Sequence, residues 1–359
     1  MTHPNLNKLL AKLLEKPPTL SADDLNTALT MMIEGNVTDI QTAAFLTALR
    51  MTGLDHSADF VAAAASRIFQ ESAKVDYSKL DPEGYVDIVG TGGDGQNTFN
   101  VSTTSAIVGA GIGIKVCKHG GKASTSASGA GDLLKNLGVD MFSVTNERAP
   151  DVLKQSRFTF LFAPVFHPMM KSIAPLRKTL GIPTIFNILG PLLNPVPLKS
   201  RIIGVYDESL GQVFAEAVIQ LNRKSGLPNA KAMIVWGMEG LDEISPAGST
   251  KVWHVENERI TTYELHPTKD FGLPVHPLTD VKSGTPSENA EIVWKLVNNE
   301  LPENHPVLDY VLMNTGAMAV IDGAAKDWKE GVQMARESIQ SGRAKQALQT
   351  FINVTNNYD

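Results

Sequence analysis

A short apolar run in this chain leads directly into a glycine-rich turn, and a helical segment follows. Residues 85–90, YVDIVG, are typical of a β-strand, and glycine occupies four of the six positions from Gly90 to Gly95. Glycine lets backbone N–H groups approach a ligand closely, and the N-terminus of a helix starting near Val101 attracts anions. The segment therefore predicts a strand–turn–helix unit that holds an anion, with phosphate as the best match.

A second glycine-rich turn follows the next strand-like run, IGIKVC. Between Gly95 and Gly131 the chain has no Asp or Glu, but it carries Lys115, Lys118 and Lys122 together with many Ser and Thr residues. Two such turns that flank one helix predict a polar surface suited to a ligand with several phosphates.

Two other glycine motifs fit these residues poorly. Gly90, Gly92 and Gly95 satisfy the G-x-G-x-x-G spacing of dinucleotide-binding folds, but the acidic residue expected about 20 positions later is missing. The P-loop pattern fails because Ala123 follows Lys122 and the required upstream glycine is absent.

Beyond residue 84, strand-like runs alternate with helical segments. Runs such as FTFLFAPV, RIIGVYD and KAMIVWG are apolar enough to be buried on both faces. This alternation predicts an α/β domain with a mostly parallel central sheet flanked by helices. A hairpin is expected at 251–264, and 324–342 is expected to be the last helix.

The first 75 residues are expected to be helical, with helix starts at Ser21, Thr38 and Ser57. The proline-rich stretch 166–198 is predicted to join them in a small all-helical domain, and 84–165 with 199–359 to form the large α/β domain. The segments TAAFLTAL and AAAAS are apolar on all sides, so we expect a second layer to cover them, with a subunit interface favoured over burial within the chain.

Charge and composition exclude several functional classes. The formal net charge of −6 disfavours a nucleic-acid or acidic-membrane partner. A single cysteine, Cys117, excludes an internal disulfide and a cysteine-based zinc cluster. No signal peptide and no run of about 18 apolar residues is evident, so a cytoplasmic protein is expected.

Five blocks of sequence resemble the anthranilate phosphoribosyltransferase family, in order along the chain: GTGGD at 90–94, NVST at 100–103, KHGGKAS at 118–124, the run at 167–195, and LDEISP at 241–246. With the helical N-terminus, the resemblance covers essentially the whole chain. It implies a small α domain beside a large α/β domain and a homodimer formed through the α domain. It also implies magnesium-dependent transfer of the phosphoribosyl group of phosphoribosyl pyrophosphate to the amine of anthranilate, with release of pyrophosphate, in tryptophan biosynthesis.

The resemblance also implies roles for individual residues. The implied phosphoribosyl pyrophosphate ligands are Gly90, Thr91, Gly93, Asp94, Thr98, Asn100, Val101, Ser102, Thr103, Lys118, Lys122 and Ser126. The implied anthranilate ligands are Gly90, His119, Gly121, His167, Arg177, Gly190 and Pro191. Ser102, Asp242 and Glu243 are the implied Mg²⁺ ligands, and oxygen donors suit this ion. No covalent nucleophile is expected, and His119 is the candidate proton acceptor.

The chain departs from the family pattern at two positions. Many members have Asn-Arg after K-H-G, where this chain has Gly121-Lys122, and the Asn helps to hold anthranilate in those members. The Gly-Lys version resembles the fungal branch. Ala130 stands where the family has a phosphate-binding serine.

Two alternatives stay open at this level. Pyrimidine nucleoside phosphorylases share the fold class, but their loop D-K-H-S-T-G-G-V-G-D has a K-H-S segment that residues 86–94 lack. An inactive paralogue that only binds the substrates is the other alternative, and the intact GTGGD, NVST and LDEISP blocks speak against it.

Overall fold

One twisted sheet forms the centre of the protein. The computed structural model describes residues 5–122 and 127–357, and in these segments seven strands form a single sheet. The strands are β1 (Tyr85–Gly90), β2 (Val116–Gly120), β3 (Phe158–Phe162), β4 (Leu198–Gly204), β5 (Lys231–Gly237), β6 (Thr250–Glu256) and β7 (Arg259–Leu265). The sheet order is β3-β2-β1-β4-β5-β6-β7.

The first five strands are parallel, and β6 and β7 form an antiparallel hairpin at one edge. The predicted sheet and the predicted hairpin are both confirmed. After β1 the chain adds β2 and β3 on one side, and β4 and β5 then extend the sheet on the other side of β1. The order of the strands therefore reverses between β1 and β4, and ligands of open α/β sheets bind at the carboxyl ends of strands beside such a point.

Helices cover both faces of the sheet. In the described segments they are α1 (Leu6–Leu14), α2 (Ala22–Ile33), α3 (Asp39–Thr52), α4 (Ala58–Gln70), α5 (Val101–Ile112), α6 (Ala130–Asn136), α7 (Ala149–Gln155), α8 (Ala163–Phe166), α9 (Met170–Leu180), α10 (Ser209–Lys224), α11 (Pro286–Val297), α12 (Pro306–Asp322), α13 (Trp328–Gln340) and α14 (Arg343–Asn356). None of them is long and apolar enough to cross a lipid bilayer.

Each central strand buries side chains on both faces, because successive side chains of a strand point in opposite directions. Ile202 of β4 belongs to the core that contains α5, α12, α13 and α14. Its neighbour Ile203 belongs to the second core, which contains α10 and the N-terminal helices. This double burial explains why the strands are almost uniformly apolar in sequence.

The N-terminal helices begin largely where their capping residues predict. The Ser21 hydroxyl accepts from the Asp24 backbone N–H at 3.1 Å, and the Asp24 carboxylate accepts from the Ser21 N–H at 3.0 Å. Thr38 and Gln41 form the equivalent reciprocal pair at the start of α3. Ser57 precedes α4 as expected, but its side chain makes no capping hydrogen bond.

The alanine-rich face of α4 is covered within the chain, so the expectation that a subunit interface covers it is wrong. The four alanines from Ala62 to Ala65 are 0–5% exposed. Helix α2 packs on one side of α4 and α10 of the large domain on the other. Small side chains allow both neighbours to approach closely, which explains the alanines.

The expectation that 324–342 is the last helix is also wrong, since α14 follows it. Gly342, with φ of +76°, separates α13 from α14. Phe351 of α14 packs edge to face on Phe158 of β3, with ring centroids 5.1 Å apart. Tertiary contact with the sheet, rather than a strong local signal, therefore secures this helix.

Candidate functional site

A cleft of about 440 Å³ opens at the carboxyl ends of β1 and β2, beside the start of α5. Most of the residues singled out from the sequence line it. They are Gly90, Thr91, Gly93, Asp94, Thr98, Asn100, Ser102, Lys118, His119, Gly121, Lys122, Arg177, Gly190, Pro191, Asp242 and Glu243. Folding thus brings together segments that are as much as 150 positions apart in the sequence.

The glycine turn after β1 forms one wall of the cleft. Gly92, Gly93 and Gly95 have φ angles of +70°, +84° and +70°, which side-chain-bearing residues rarely adopt. The Thr91 N–H donates to the Gly204 carbonyl at 2.9 Å, which ties the turn to the end of β4. The first residue of the turn is therefore tied to the end of the sheet, and the glycines that follow it line the cleft.

Glycine at the ends of β1 and β4 allows an acidic loop to lie directly against the sheet. A Cβ atom on Gly204 would lie 1.5 Å from the Asp242 carbonyl oxygen, and one on Gly90 would lie 2.2 Å from Asp242 Oδ2. The Gly92 N–H donates to the same Asp242 Oδ2 at 2.6 Å. The close approach fixes Asp242 beside the glycine turn.

The N-terminus of α5 faces the cleft, and the side chain of its N-cap residue, Asn100, forms hydrogen bonds outside the helix. The Asn100 side chain makes no capping bond to α5. Its Nδ2 donates to the Ser128 carbonyl at 2.7 Å, and its Oδ1 accepts from Asn289 Nδ2 at 2.9 Å. Because no cap side chain occupies the first turn of α5, its N–H groups remain suited to an anionic ligand.

Lys118 places a buried cation beneath this anion site. The residue is 2% exposed, and its Nζ donates to the Ile88 carbonyl and to Ser102 Oγ, the latter at 3.3 Å. Burial lowers the pKa of Lys118, and the nearby carboxylates of Asp87, Glu243 and Asp242 oppose that change. The positive charge of Lys118 is therefore favoured by Asp87 and by the acids of the cleft.

Asp242 and Glu243 are held close together at low solvent exposure. Burial, together with the charges of Glu243 and Asp94, raises the pKa of Asp242 well above its usual range. Burial also raises the pKa of Glu243 to about 8, and Asp94 adds to this, while Lys118 and Ser102 act against it. The two carboxylates repel each other, and a bound cation would relieve this repulsion.

This donor set fits Mg²⁺. The hydroxyl of Ser102 and the two carboxylates supply oxygen ligands, which this ion prefers. Within residues 5–122 and 127–357, no three His, Cys, Asp or Glu side chains converge on one point. An Mg²⁺ ion there would keep several waters or substrate oxygens, which is usual for this ion in phosphate-binding sites.

The cleft is also lined by an arginine. Arg177, on α9, lines the cleft, and its buried Nε has no hydrogen-bond partner among the described residues. Its Cζ lies 5.8 Å from the centroid of the Phe186 ring. Burial lowers the pKa of Arg177, but a guanidinium stays charged at neutral pH. A planar carboxylate ligand matches this group.

His119, Gly190 and Pro191 line the cleft with this arginine. The His119 ring bonds to the Gly190 backbone, and its other nitrogen, Nε2, has no partner in the described part of the chain. Burial lowers the pKa of His119 well below its usual range, so the ring is neutral and its protonated form is disfavoured. A Cβ on Gly121 would meet no atom within 4 Å, so this position leaves open space in the cleft.

The remaining predicted residues are buried and do not line the cleft, or they lie outside the described segments. Val101 and Thr103 are each 1% exposed, on the first turn of α5. His167 is buried edge to face against His119, with ring centroids 5.0 Å apart, and its Nε2 bonds to the Leu193 carbonyl at 2.9 Å. Ser126 lies outside the described residues.

The buried His167 predicts a stability loss in mild acid. Burial lowers the pKa of His167 from 6.5 to about 4. Between these values the unfolded chain binds a proton that the folded chain excludes, so stability falls as the pH drops from about 6.5 towards 4. Denaturant unfolding should show a loss of roughly 2 kcal/mol from this residue between pH 7 and pH 5. His167→Gln should remove that part of the loss, and an equal loss in both proteins would contradict the prediction.

Several cleft residues were not among the individual ligands predicted from the sequence: Val89, Gly92, Gly95, Asn97, Phe99, Gly120, Ser128, Gly129 and Ala163. Ala130 also lines the cleft, although it lacks the hydroxyl of the serine that it replaces. Asn97 has φ of +50°, and its Oδ1 accepts from the Ala127 N–H at 2.9 Å. It therefore bridges the two glycine-rich turns. Its position in a run of Gly and Asn residues could have indicated a turn residue, since Asn tolerates a positive φ angle.

Two protein-family models match the chain. Residues 7–71 match the helical bundle domain of a glycosyl transferase family, and residues 82–345 match the a/b domain of the same family. The two matches together span nearly the whole chain.

Fungal proteins are among the most similar relatives. The chain is 46% identical to the anthranilate phosphoribosyltransferase of Schizosaccharomyces pombe, over 94% of each chain. It is 44% identical to that of Saccharomyces cerevisiae, over 98% of each chain.

Solved structures of the Saccharomyces cerevisiae enzyme also match. One, in complex with phosphoribosyl pyrophosphate and Mg, superimposes with a TM-score of 0.91 over 98% of each chain at 43% identity. Another, in complex with 4-fluoroanthranilate, gives 0.89 over the full length of both chains at 40% identity.

Proposed function

Because the chain belongs to the anthranilate phosphoribosyltransferase family, we propose that its cleft binds phosphoribosyl pyrophosphate at the glycine turn and anthranilate at the Arg177 end. The protein is a pentosyltransferase. It transfers the phosphoribosyl group to the amine of anthranilate, a step of tryptophan biosynthesis, and Mg²⁺ is its cofactor.

One observation carries the assignment of the two ends. A single cleft is lined both by a glycine turn with a buried lysine and by a half-buried guanidinium whose Nε has no partner among the described residues. The first end suits pyrophosphate, and the second suits the carboxylate of an aromatic acid. His119, Gly190 and Pro191 supply the walls of the second end. We assign the donor and acceptor ends on this basis.

In the reaction, the acceptor amine forms a C–N bond to the ribosyl anomeric carbon as the C–O bond to pyrophosphate breaks. The bonding electron pair leaves with pyrophosphate, and the amine loses one proton. We propose His119, which lines the cleft, as the acceptor of this proton, directly or through water. An aryl amine is already unprotonated at neutral pH, so the protein contributes mainly positioning and electrostatic stabilisation.

The leaving group gains negative charge during the transfer. The first turn of α5, the glycine turn and the Lys118 ammonium hold that charge. Ser102, Asp242 and Glu243 would hold Mg²⁺, which would supply charge neutralisation to the departing pyrophosphate. Asp94, next to these acids, is suited to bind a ribose hydroxyl or a cation-bound water.

A direct assay tests the proposed function. Anthranilate fluorescence should decay when purified protein receives anthranilate, phosphoribosyl pyrophosphate and Mg²⁺, and omission of any one should stop the decay. Folded protein that leaves the fluorescence constant would overturn the proposal. Cleavage of pyrimidine nucleosides by phosphate under the same conditions would instead indicate a phosphorylase.

We propose that the protein forms a homodimer through α1 and α3. The outer face of α3 is apolar: Ile40 is 82% and Met51 81% exposed, and Ala44 lies between them, one turn beyond Ile40. Leu14, at the end of α1, is 68% exposed. Two large apolar side chains that flank a small one suit close helix packing, and a second copy of the same face would bury them.

Light scattering tests the dimer. The parent protein should have twice the mass of the chain, and Ile40→Glu combined with Met51→Glu should reduce it to a monomer. Val275→Glu, at an exposed apolar residue of the large domain, is the matched control and should stay dimeric. A monomeric parent, or a charged double variant that remains dimeric, would contradict the proposal.

We also propose the domain boundaries expected from the sequence, with 1–75 and 166–198 in the small domain. The packing of α9 against α2 and α3 supports this division, and limited proteolysis should cut between the two parts.

A cytoplasmic location is proposed because the only cysteine, Cys117, is buried and no internal disulfide can form. Cell fractionation tests the location.

A further inference from the structure

Helix α12 contains a buried polar residue that the reaction itself does not use. Asn314 is 0% exposed and lies in a helix whose residues are buried almost throughout. Asparagine is a weak helix former, and a buried amide is costly unless its hydrogen bonds are made. Its position therefore requires an explanation in terms of its partners.

The Asn314 amide is bonded to the backbone of the acidic loop. Its Nδ2 donates to the Ile244 carbonyl at 3.1 Å, and its Oδ1 accepts from the Ile244 N–H at 3.3 Å. Nδ2 also donates to the Tyr310 carbonyl, one turn earlier in α12, at 3.1 Å. One side chain thus holds both backbone groups of the residue that directly follows Glu243.

Helix α12 holds the same loop at a second point. Asp309 is 2% exposed, and its Oδ2 lies 2.8 Å from His276 Nε2. The backbone N–H of His276 donates to the Pro246 carbonyl at 2.9 Å. The segment from Ile244 to Pro246 is therefore fastened to α12 at both of its ends.

The segment from Ile244 to Pro246 directly follows the two acids of the cleft, so its position affects theirs. Asp242 and Glu243 are adjacent in the chain and both line the cleft, so they can bind one ion together only if the backbone of this loop is held in place. Gly92 holds only Asp242, through one backbone hydrogen bond. Before Asp242, Leu241 pairs with Gly237 through backbone hydrogen bonds. After Glu243, the first backbone groups that α12 holds are those of Ile244.

We propose that Asn314 is a positioning residue that holds Asp242 and Glu243 at the separation required to bind Mg²⁺ with phosphoribosyl pyrophosphate. Asn314 itself touches neither substrate nor ion. This inference rests on the proposed assignment of Asp242 and Glu243 as the cation-binding carboxylates.

The test compares Asn314→Ala with Asn222→Ala. Asn222 is a matched control because it is also buried, accepts from Arg201 at 3.0 Å and donates to the Ala230 carbonyl at 3.0 Å, but it does not line the cleft. Mn²⁺ replaces Mg²⁺ as the probe, and electron paramagnetic resonance measures its binding in the presence of phosphoribosyl pyrophosphate. The KM for anthranilate is measured in parallel.

We expect Asn314→Ala to weaken Mn²⁺ binding by about 10- to 100-fold, as for other residues that orient metal ligands, with little change in the KM for anthranilate. Asn222→Ala should lower stability without changing Mn²⁺ binding. Unchanged Mn²⁺ binding in Asn314→Ala, or equal losses in both variants, would overturn the proposal.

A third variant covers the case in which Asn314→Ala does not fold. His276→Leu leaves α12 intact and keeps the backbone bond to Pro246, but it removes the side-chain contact with Asp309 that joins this end of the segment to α12. It should weaken Mn²⁺ binding in the same direction, and unchanged binding would count against the proposal. Glu243→Gln separates the two hypotheses. If Glu243→Gln leaves Mn²⁺ binding unchanged, the assignment of the carboxylates fails; if it abolishes binding and Asn314→Ala has no effect, only the role of Asn314 fails.

Discussion

Replacement of both cleft acids by their amides, Asp242→Asn with Glu243→Gln, is expected to lower magnesium-dependent turnover by on the order of 100- to 1000-fold. The ion supplies several kcal/mol of charge stabilisation to the departing pyrophosphate, and the amides remove the negative charges that bind it. Steady-state rates measured across a range of Mg²⁺ concentrations check this. The apparent Mg²⁺ requirement should rise together with the loss of rate.

The fold should survive this change. The amide that replaces the Asp242 carboxylate would keep an oxygen that can accept from the Gly92 N–H, which the carboxylate contacts at 2.6 Å. The amides carry no charge, so burial penalises them less than it penalises ionised carboxylates, and the melting temperature without Mg²⁺ should not fall. Glu239→Gln, at an exposed acid three positions before Asp242, is the matched control and should keep its activity. Near-normal turnover in the double variant would remove Asp242 and Glu243 from the metal site.

Arg177→Ala is expected to raise the KM for anthranilate by about 10- to 100-fold and to change the KM for phosphoribosyl pyrophosphate much less. A charge-assisted hydrogen bond to a carboxylate contributes about 1.5–3 kcal/mol, and the Arg177 Nε has no protein partner, among the described residues, to compensate. Initial rates with each substrate varied in turn provide the measurement.

Two further variants define what Arg177 contributes. Arg177→Lys keeps the charge but loses the planar, two-pronged donor, so its KM for anthranilate should fall between those of the parent and the alanine variant. Lys178→Ala removes an exposed neighbouring cation and should behave as the parent. Equal increases in both KM values for Arg177→Ala would identify a structural role instead.

Much of the fold follows from local sequence. The apolar runs of β1 to β5, the hairpin of β6 and β7, and the capping pairs Ser21–Asp24 and Thr38–Gln41 all involve residues close in the chain. Hydrophobic periodicity and helix-capping chemistry act over such short distances. The glycine turn was equally readable, since its positive φ angles leave little choice of residue.

The sequence misled where long-range packing decides. Ala62 to Ala65 suggested an external partner, but α10, which is about 150 positions later, covers them. Helix α14 gave no strong local signal, and its contact with β3 joins residues nearly 200 positions apart. The sequence pattern of one segment does not indicate which distant segment will pack against it.

The sequence alone determined the chemical groups of the site: a glycine turn, a lysine, an acidic pair and an arginine, each in a recognisable block. Only the tertiary structure decided how these groups are arranged. Gly90 and Gly204 let Asp242 reach the sheet edge, Asn100 turns away from its own helix, and Asn314 holds the loop behind Glu243. The physical reason is that residue type fixes which bonds a side chain can make, while the folded chain fixes which partners it meets.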